Sequence, residues 1–211
     1  MRMRVRIRCR RPPRQVVTAA LVAIAALLAA SNAAATTVAF TTAPTLGNLS
    51  AVTLNGQAQT TTTTWNLTTS PFKITSSGTN NGWNLTVQGN APAGSAVFKQ
   101  YCPNASCGTD TGPGYIAGGY TLPANSLTIN TASAGWTTAG TKPTYQCNAA
   151  ACNVDSASAV KVVSATTGVA LGAWQASGSA TLSLATPTTL HKLQTNEVYR
   201  VNLLWTVSTG P

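Results

Sequence analysis

The sequence predicts an all-β protein: a single-domain antiparallel β-sandwich with an elaborated loop region, after an N-terminal signal peptide. Three observations predict it. From residue 36 onward threonine occurs 34 times, and Asn, Ser, Gly and Ala fill much of the rest, a composition that favours strands and turns over helices. Short apolar or Thr-rich runs follow one another, separated by Gly, Pro and Asn at the spacing of a sandwich. Several of these runs alternate large apolar residues with polar ones, the period-two mark of a strand with one buried face.

Residues 1–35 read as an export signal. Arg2, Arg4, Arg6, Arg8, Arg10, Arg11 and Arg14 form a basic n-region, Val16 to Ala30 an apolar run, and Ala33-Ala34-Ala35 a small-residue cleavage zone. Cutting is expected after Ala35, with Ala33 as the neighbouring alternative. The apolar run is shorter than the roughly twenty residues that span a bilayer, so it is read as a removed leader and no membrane partner is expected afterwards. The formal charge of +10 shrinks with it. Residues 36–211 keep six basic side chains (Lys73, Lys99, Lys142, Lys161, Lys192, Arg200) and three acidic ones (Asp110, Asp155, Glu197). No basic patch survives, so nucleic acid is not expected as a partner. A chain of this length folds as one domain.

Strands are predicted at Thr37–Phe40, Ala51–Leu54, Thr60–Leu67, Phe72–Thr75, Trp83–Gln88, Ser95–Tyr101, Ser126–Ile129, Ala159–Ser164, Ala173–Ser177, Ala180–Ala185 and Val198–Ser208. No helix is predicted. Asn55-Gly56 carries the signal of a type I′ hairpin. In the final strand Tyr199, Val201, Leu203, Trp205 and Val207 share one face, opposite Arg200, Asn202, Leu204, Thr206 and Ser208. Trp83, Leu85 and Val87 repeat the arrangement against Asn84, Thr86 and Gln88. That alternation puts Trp83 and Trp205 in the sandwich core, with Trp65 similar, whereas Trp136 and Trp174 lie beside Gly-rich turns and are expected to be more exposed. The stretch from Pro103 to Val154 is the least regular and reads as loops.

Cys102 and Cys107 enclose four residues, as do Cys147 and Cys152, while Cys9 belongs to the leader. In an exported chain these four are disulfide candidates rather than zinc ligands. Three pairings remain open, and the spacing inclines to local bridges, each worth about 2 kcal/mol in chain entropy. Neither a metal site nor a cofactor is predicted. A serine nucleophile needs a base, and His191 in LHKLQTNE stands alone, without a G-x-S-x-G elbow anywhere. With so few ionisable groups the chain is not expected to be an enzyme.

WNLTTSPFKI, GWNLTV, GAWQASGSATLSL and the terminal YRVNLLWTVSTGP, taken in order from about Thr45 to Pro211, resemble the WxL domain, a surface module of Gram-positive bacteria. The first motif corresponds to Trp83-Asn84-Leu85. The second corresponds to Trp205-Thr206-Val207, preceded by Tyr199 and followed by Pro211. Val207 stands in place of the family's leucine, and the two cysteine pairs lie outside its pattern. The resemblance implies a secreted protein of the cell surface that binds peptidoglycan or a wall-attached glycan polymer non-covalently, with Trp83, Leu85, Tyr199, Trp205 and Val207 as binding or core residues. A second expectation is a structural or adhesin-like surface subunit that binds other surface proteins through an edge strand.

Overall fold

The computed structural model describes residues 37–210 apart from Asn80, Thr109, Ala139 and Ala170. The predicted signal peptide, residues 1–35, lies outside the described residues. Sixteen strands form among them: β1 (Thr37–Thr42), β2 (Gln59–Asn66), β3 (Lys73–Ser77), β4 (Trp83–Gly89), β5 (Lys99–Cys102), β6 (Ser106–Cys107), β7 (Asp110–Thr111), β8 (Gly114–Tyr115), β9 (Leu127–Asn130), β10 (Ala134–Trp136), β11 (Thr144–Tyr145), β12 (Cys152–Asn153), β13 (Val160–Ala165), β14 (Gly172–Thr186), β15 (Val198–Arg200) and β16 (Leu203–Thr209). One 3₁₀ turn, Ala91–Ala93, interrupts them.

Every pairing is antiparallel, and the fold is a β-sandwich. One sheet runs β1-β3-β14-β9-β12, and β2 and β10 also pair with β14. The opposing sheet runs β11-β13-β4-β16. The long β14 organises the first sheet. Its Gly172–Gln175 half pairs with β3 and its Ser179–Thr186 half with β2, while β9 and β10 lie end to end along Thr181–Leu184 and Ala176–Gly178. β4 is central in the second sheet, with Leu85 opposite Val163 on one side and Val207 on the other.

The alternation read from the sequence sets the core. Trp83, Leu85 and Val87 are wholly buried and share one hydrophobic cluster with Leu67, Phe72 and Ile74. Aromatic rings run through the interior in sequence of contact: Trp205 against Trp65 at 5.9 Å between centroids, Trp65 against Phe72 at 5.9 Å, and Phe72 edge-on to Trp136 at 5.7 Å. Trp136 and Trp174 are both 6% exposed, contrary to the expectation from their Gly-rich flanks. The Trp136 indole N–H donates to the Pro143 carbonyl at 2.8 Å, so the loop closes over the ring instead of leaving it at the surface.

Other expectations need correction. Ala51–Leu54 forms no strand, and Asn55-Gly56 forms no hairpin. Instead the Asn55 side chain accepts hydrogen bonds from the Gln57 amide and the Gln59 side chain, each at 3.0 Å, a local turn that satisfies the backbone without a partner strand. The two strands predicted at Ala173–Ser177 and Ala180–Ala185 are one, β14. The single strand predicted at Val198–Ser208 is two. At Asn202 the chain changes sheet: its carbonyl accepts from the Asn90 amide and its side-chain amide donates to the Ala93 carbonyl, so β15 joins β5 and β16 joins β4. The cysteines pair locally, Cys102–Cys107 and Cys147–Cys152.

Candidate functional site

The five motif residues do not converge on one surface. Trp83 and Leu85 sit on the central strand of their sheet at 0% exposure, beyond the reach of any ligand. Val207, on the edge strand opposite Leu85, is half-buried and packs on the core. Tyr199 and Trp205 are also half-buried, but both line an open groove of about 1420 Å³ between the sheets. Trp205 is therefore at the margin of the core, with its indole packed on Trp65.

The groove exists because the sandwich is left open at one end. β1 pairs with β3 and stops at Thr42, so among the described residues no strand flanks the outer side of β2. Residues 43–58 then run without regular structure along the groove, turning Leu46, Leu49 and Val52 partly inward. Leu127 of β9 and Leu182 and Leu184 of β14 line it from the first sheet, and Leu203 and Trp205 from β16. Asn90, His191, Lys192, Arg200 and Asn202 supply polar groups to the same lining. The result is an apolar channel with hydrogen-bonding groups, the composition of a binding site.

A small third sheet, β15-β5-β8, borders it. The Arg200 guanidinium lies 4.5 Å from the Tyr101 ring centre, and Tyr101 meets Tyr115 edge-on at 5.1 Å. The Tyr199 hydroxyl donates to the His191 carbonyl at 3.1 Å, and burial pushes its phenol above the ordinary value. Sequence reasoning missed two residues here, Gln100 and Glu197. Glu197 is only 8% exposed, and its Oε2 accepts from Gln100 Nε2 at 2.7 Å and from the Gln194 amide at 2.8 Å. Gln100 is held in turn, its Oε1 accepting from the Tyr120 amide at 3.1 Å. The one cue in the sequence is scarcity: Glu197 is the single glutamate of the chain.

His191 is exposed and stacks flat on Tyr120, with ring centres 3.9 Å apart. Among the described residues no three of His, Cys, Asp and Glu converge, and the four cysteines are consumed by the disulfides. Chemically, the groove can desolvate an aliphatic or ring surface and bond its polar edge. No helix among the described residues is long and apolar enough to cross a membrane, and the disulfides are compatible with an extracellular protein. No protein-family model, curated protein or solved structure matches the chain.

Proposed function

We propose that this chain is an exported, non-catalytic cell-surface protein that associates non-covalently with the bacterial cell wall, through peptidoglycan or a polymer attached to it. The observation that carries the reading is that Tyr199 and Trp205, two residues of the WxL-like C-terminal segment, line one open groove alongside hydrogen-bonding Asn, Lys and Arg side chains. Aromatic faces stack on sugar rings, and such polar groups bond hydroxyl and amide edges.

The test is sedimentation of the purified, oxidised protein with isolated sacculi, before and after wall polymers are stripped. The native protein pellets with sacculi. Trp205→Ala remains folded by circular dichroism and stays in the supernatant. Trp83→Ala fails differently, because truncating a fully buried tryptophan costs about 3–5 kcal/mol and unfolds the domain. A folded Trp205→Ala variant that pellets like the parent overturns the groove as the wall contact.

A second reading, a surface subunit that takes a protein partner by strand addition, is favoured by one feature. β16 ends its sheet and leaves Leu204 42% exposed. Pull-down of soluble surface proteins in place of sacculi would support it.

A further inference from the structure

We propose that the groove holds the aliphatic chain of a fatty carboxylate, with Lys192 and Arg200 at its mouth as counter-ions to the head group. This goes beyond the wall-association reading and does not depend on it. Ten of the lining residues are leucines. The part a guest can touch is aliphatic too. Leu46, Leu49 and Val52 of the irregular segment, Leu190 and Leu193 before β15, and Leu203 of β16 line the groove and are only partly buried, so each keeps surface that a guest can cover. Leu54 and Val198 carry this surface to the rim at 43% and 44% exposure, among the most open large apolar side chains of the described residues. A sugar ring covers little of such a lining, whereas a methylene chain covers it at about fourfold in affinity per methylene. At about 1420 Å³ the groove also exceeds the roughly 300–1,000 Å³ of sites shaped for compact ligands, as an extended guest requires.

Charge chooses the head group. Glu197, the one carboxylate among the described lining residues, is 8% exposed, and its Oε2 is bound by Gln100 and the Gln194 amide, so it presents little to a guest. Lys192 and Arg200 line the groove and are exposed. Arg200 is held in place, its guanidinium 4.5 Å from the Tyr101 ring centre and its Nε donating to Asn202 Oδ1 at 3.2 Å. Two cations beside an apolar mouth select an anionic head, and a carboxylate matches the forked guanidinium. Exposed pairs of this kind are weak, so the head sets preference and the chain sets affinity.

The experiment is calorimetric titration of the purified, oxidised protein, without sacculi, with octanoate, decanoate and decanol at concentrations where each is monomeric. Affinity rises about 15-fold from octanoate to decanoate, two methylenes at about fourfold each. Decanoate binds ~2–5-fold tighter than decanol, the worth of exposed ion pairs, and the Lys192→Gln/Arg200→Gln double variant binds the two alike. Leu49→Arg, which sets a charge among the aliphatic walls, loses both ligands while its circular dichroism is unchanged. Should that variant melt early, the chain-length series decides alone, since it uses the native protein. Equal affinity of the native protein for decanoate and decanol assigns a neutral aliphatic guest, and no binding of any of the three leaves the groove to wall glycan. Either result overturns the proposal, and neither touches the sacculus experiment.

Discussion

Asp155 shows how much one side chain can hold in a chain with so few charges. It is wholly buried, and its two carboxylate oxygens accept from the Ser126 amide at 3.1 Å and the Leu127 amide at 2.9 Å, fixing the start of β9. Asp155→Ala leaves both amides buried and unpaired, an expected loss of about 2–4 kcal/mol in urea unfolding. Burial raises its pKa above the ordinary 3.8, outweighing the amide bonds that lower it. The folded state therefore binds this proton more tightly than the unfolded one. Its contribution to stability is complete below about 3.8 and is lost as pH rises through the folded value. Asp155→Asn, which cannot titrate, lacks that decline when urea midpoints are followed from acid to neutral pH. Nothing in the local pattern announces Asp155 or Glu197, because hydropathy periodicity reports which face is buried and is silent on a polar group buried for its bonds. Trp83, Leu85 and Val87 were legible for the complementary reason: alternation is what burial on one face looks like in sequence.

At the scale of elements, the strands that pair along most of their length were readable and the rest were not. β4 and β13 fall within a residue or two of their predicted bounds, since each is long enough for period two to repeat. The short strands β6, β7, β8, β10, β11 and β12 hold too few residues to show a period, and they exist only because neighbours and disulfides bring them to a ladder. β14 was read as two strands, with Gly178 in the gap between them. It is a bend instead. Gly178 takes φ +73°, its carbonyl accepts from the Leu67 amide at 2.9 Å, and the Ser133 carbonyl occupies the place a Cβ would need. On both sides of β14 the flanking partner changes close to this point, from β3 to β2 and from β10 to β9. Gly178→Ala combines a left-handed conformation costing about 1–2 kcal/mol with a backbone clash. A fall in melting temperature of at least ~4 °C is expected by calorimetry or circular dichroism. An unchanged melt would mean that β14 does not depend on this bend.

For the whole molecule, the groove was invisible in sequence because it is the space left where β1 stops short and residues 43–58 take its place, a property of two sheets and no single run. Its consequence for binding follows from the charge distribution. Lys73, Lys99 and Lys161 sit on three different strands of three different sheets, so the small excess of basic groups makes no concentrated field. Association with an anionic wall through that diffuse charge is a surface effect, and raising salt from 0.1 M to 1 M shortens the screening length from about 10 Å to about 3 Å and removes it. Contacts inside the groove are screened less, because they are made largely by apolar and aromatic side chains that carry no charge to screen. Pelleting with sacculi is therefore expected to weaken less than about threefold between those two salt concentrations. A drop of tenfold or more would assign retention to the basic surface, and Trp205→Ala would then pellet at low salt as well as the parent does, which is the result that removes the groove from the mechanism.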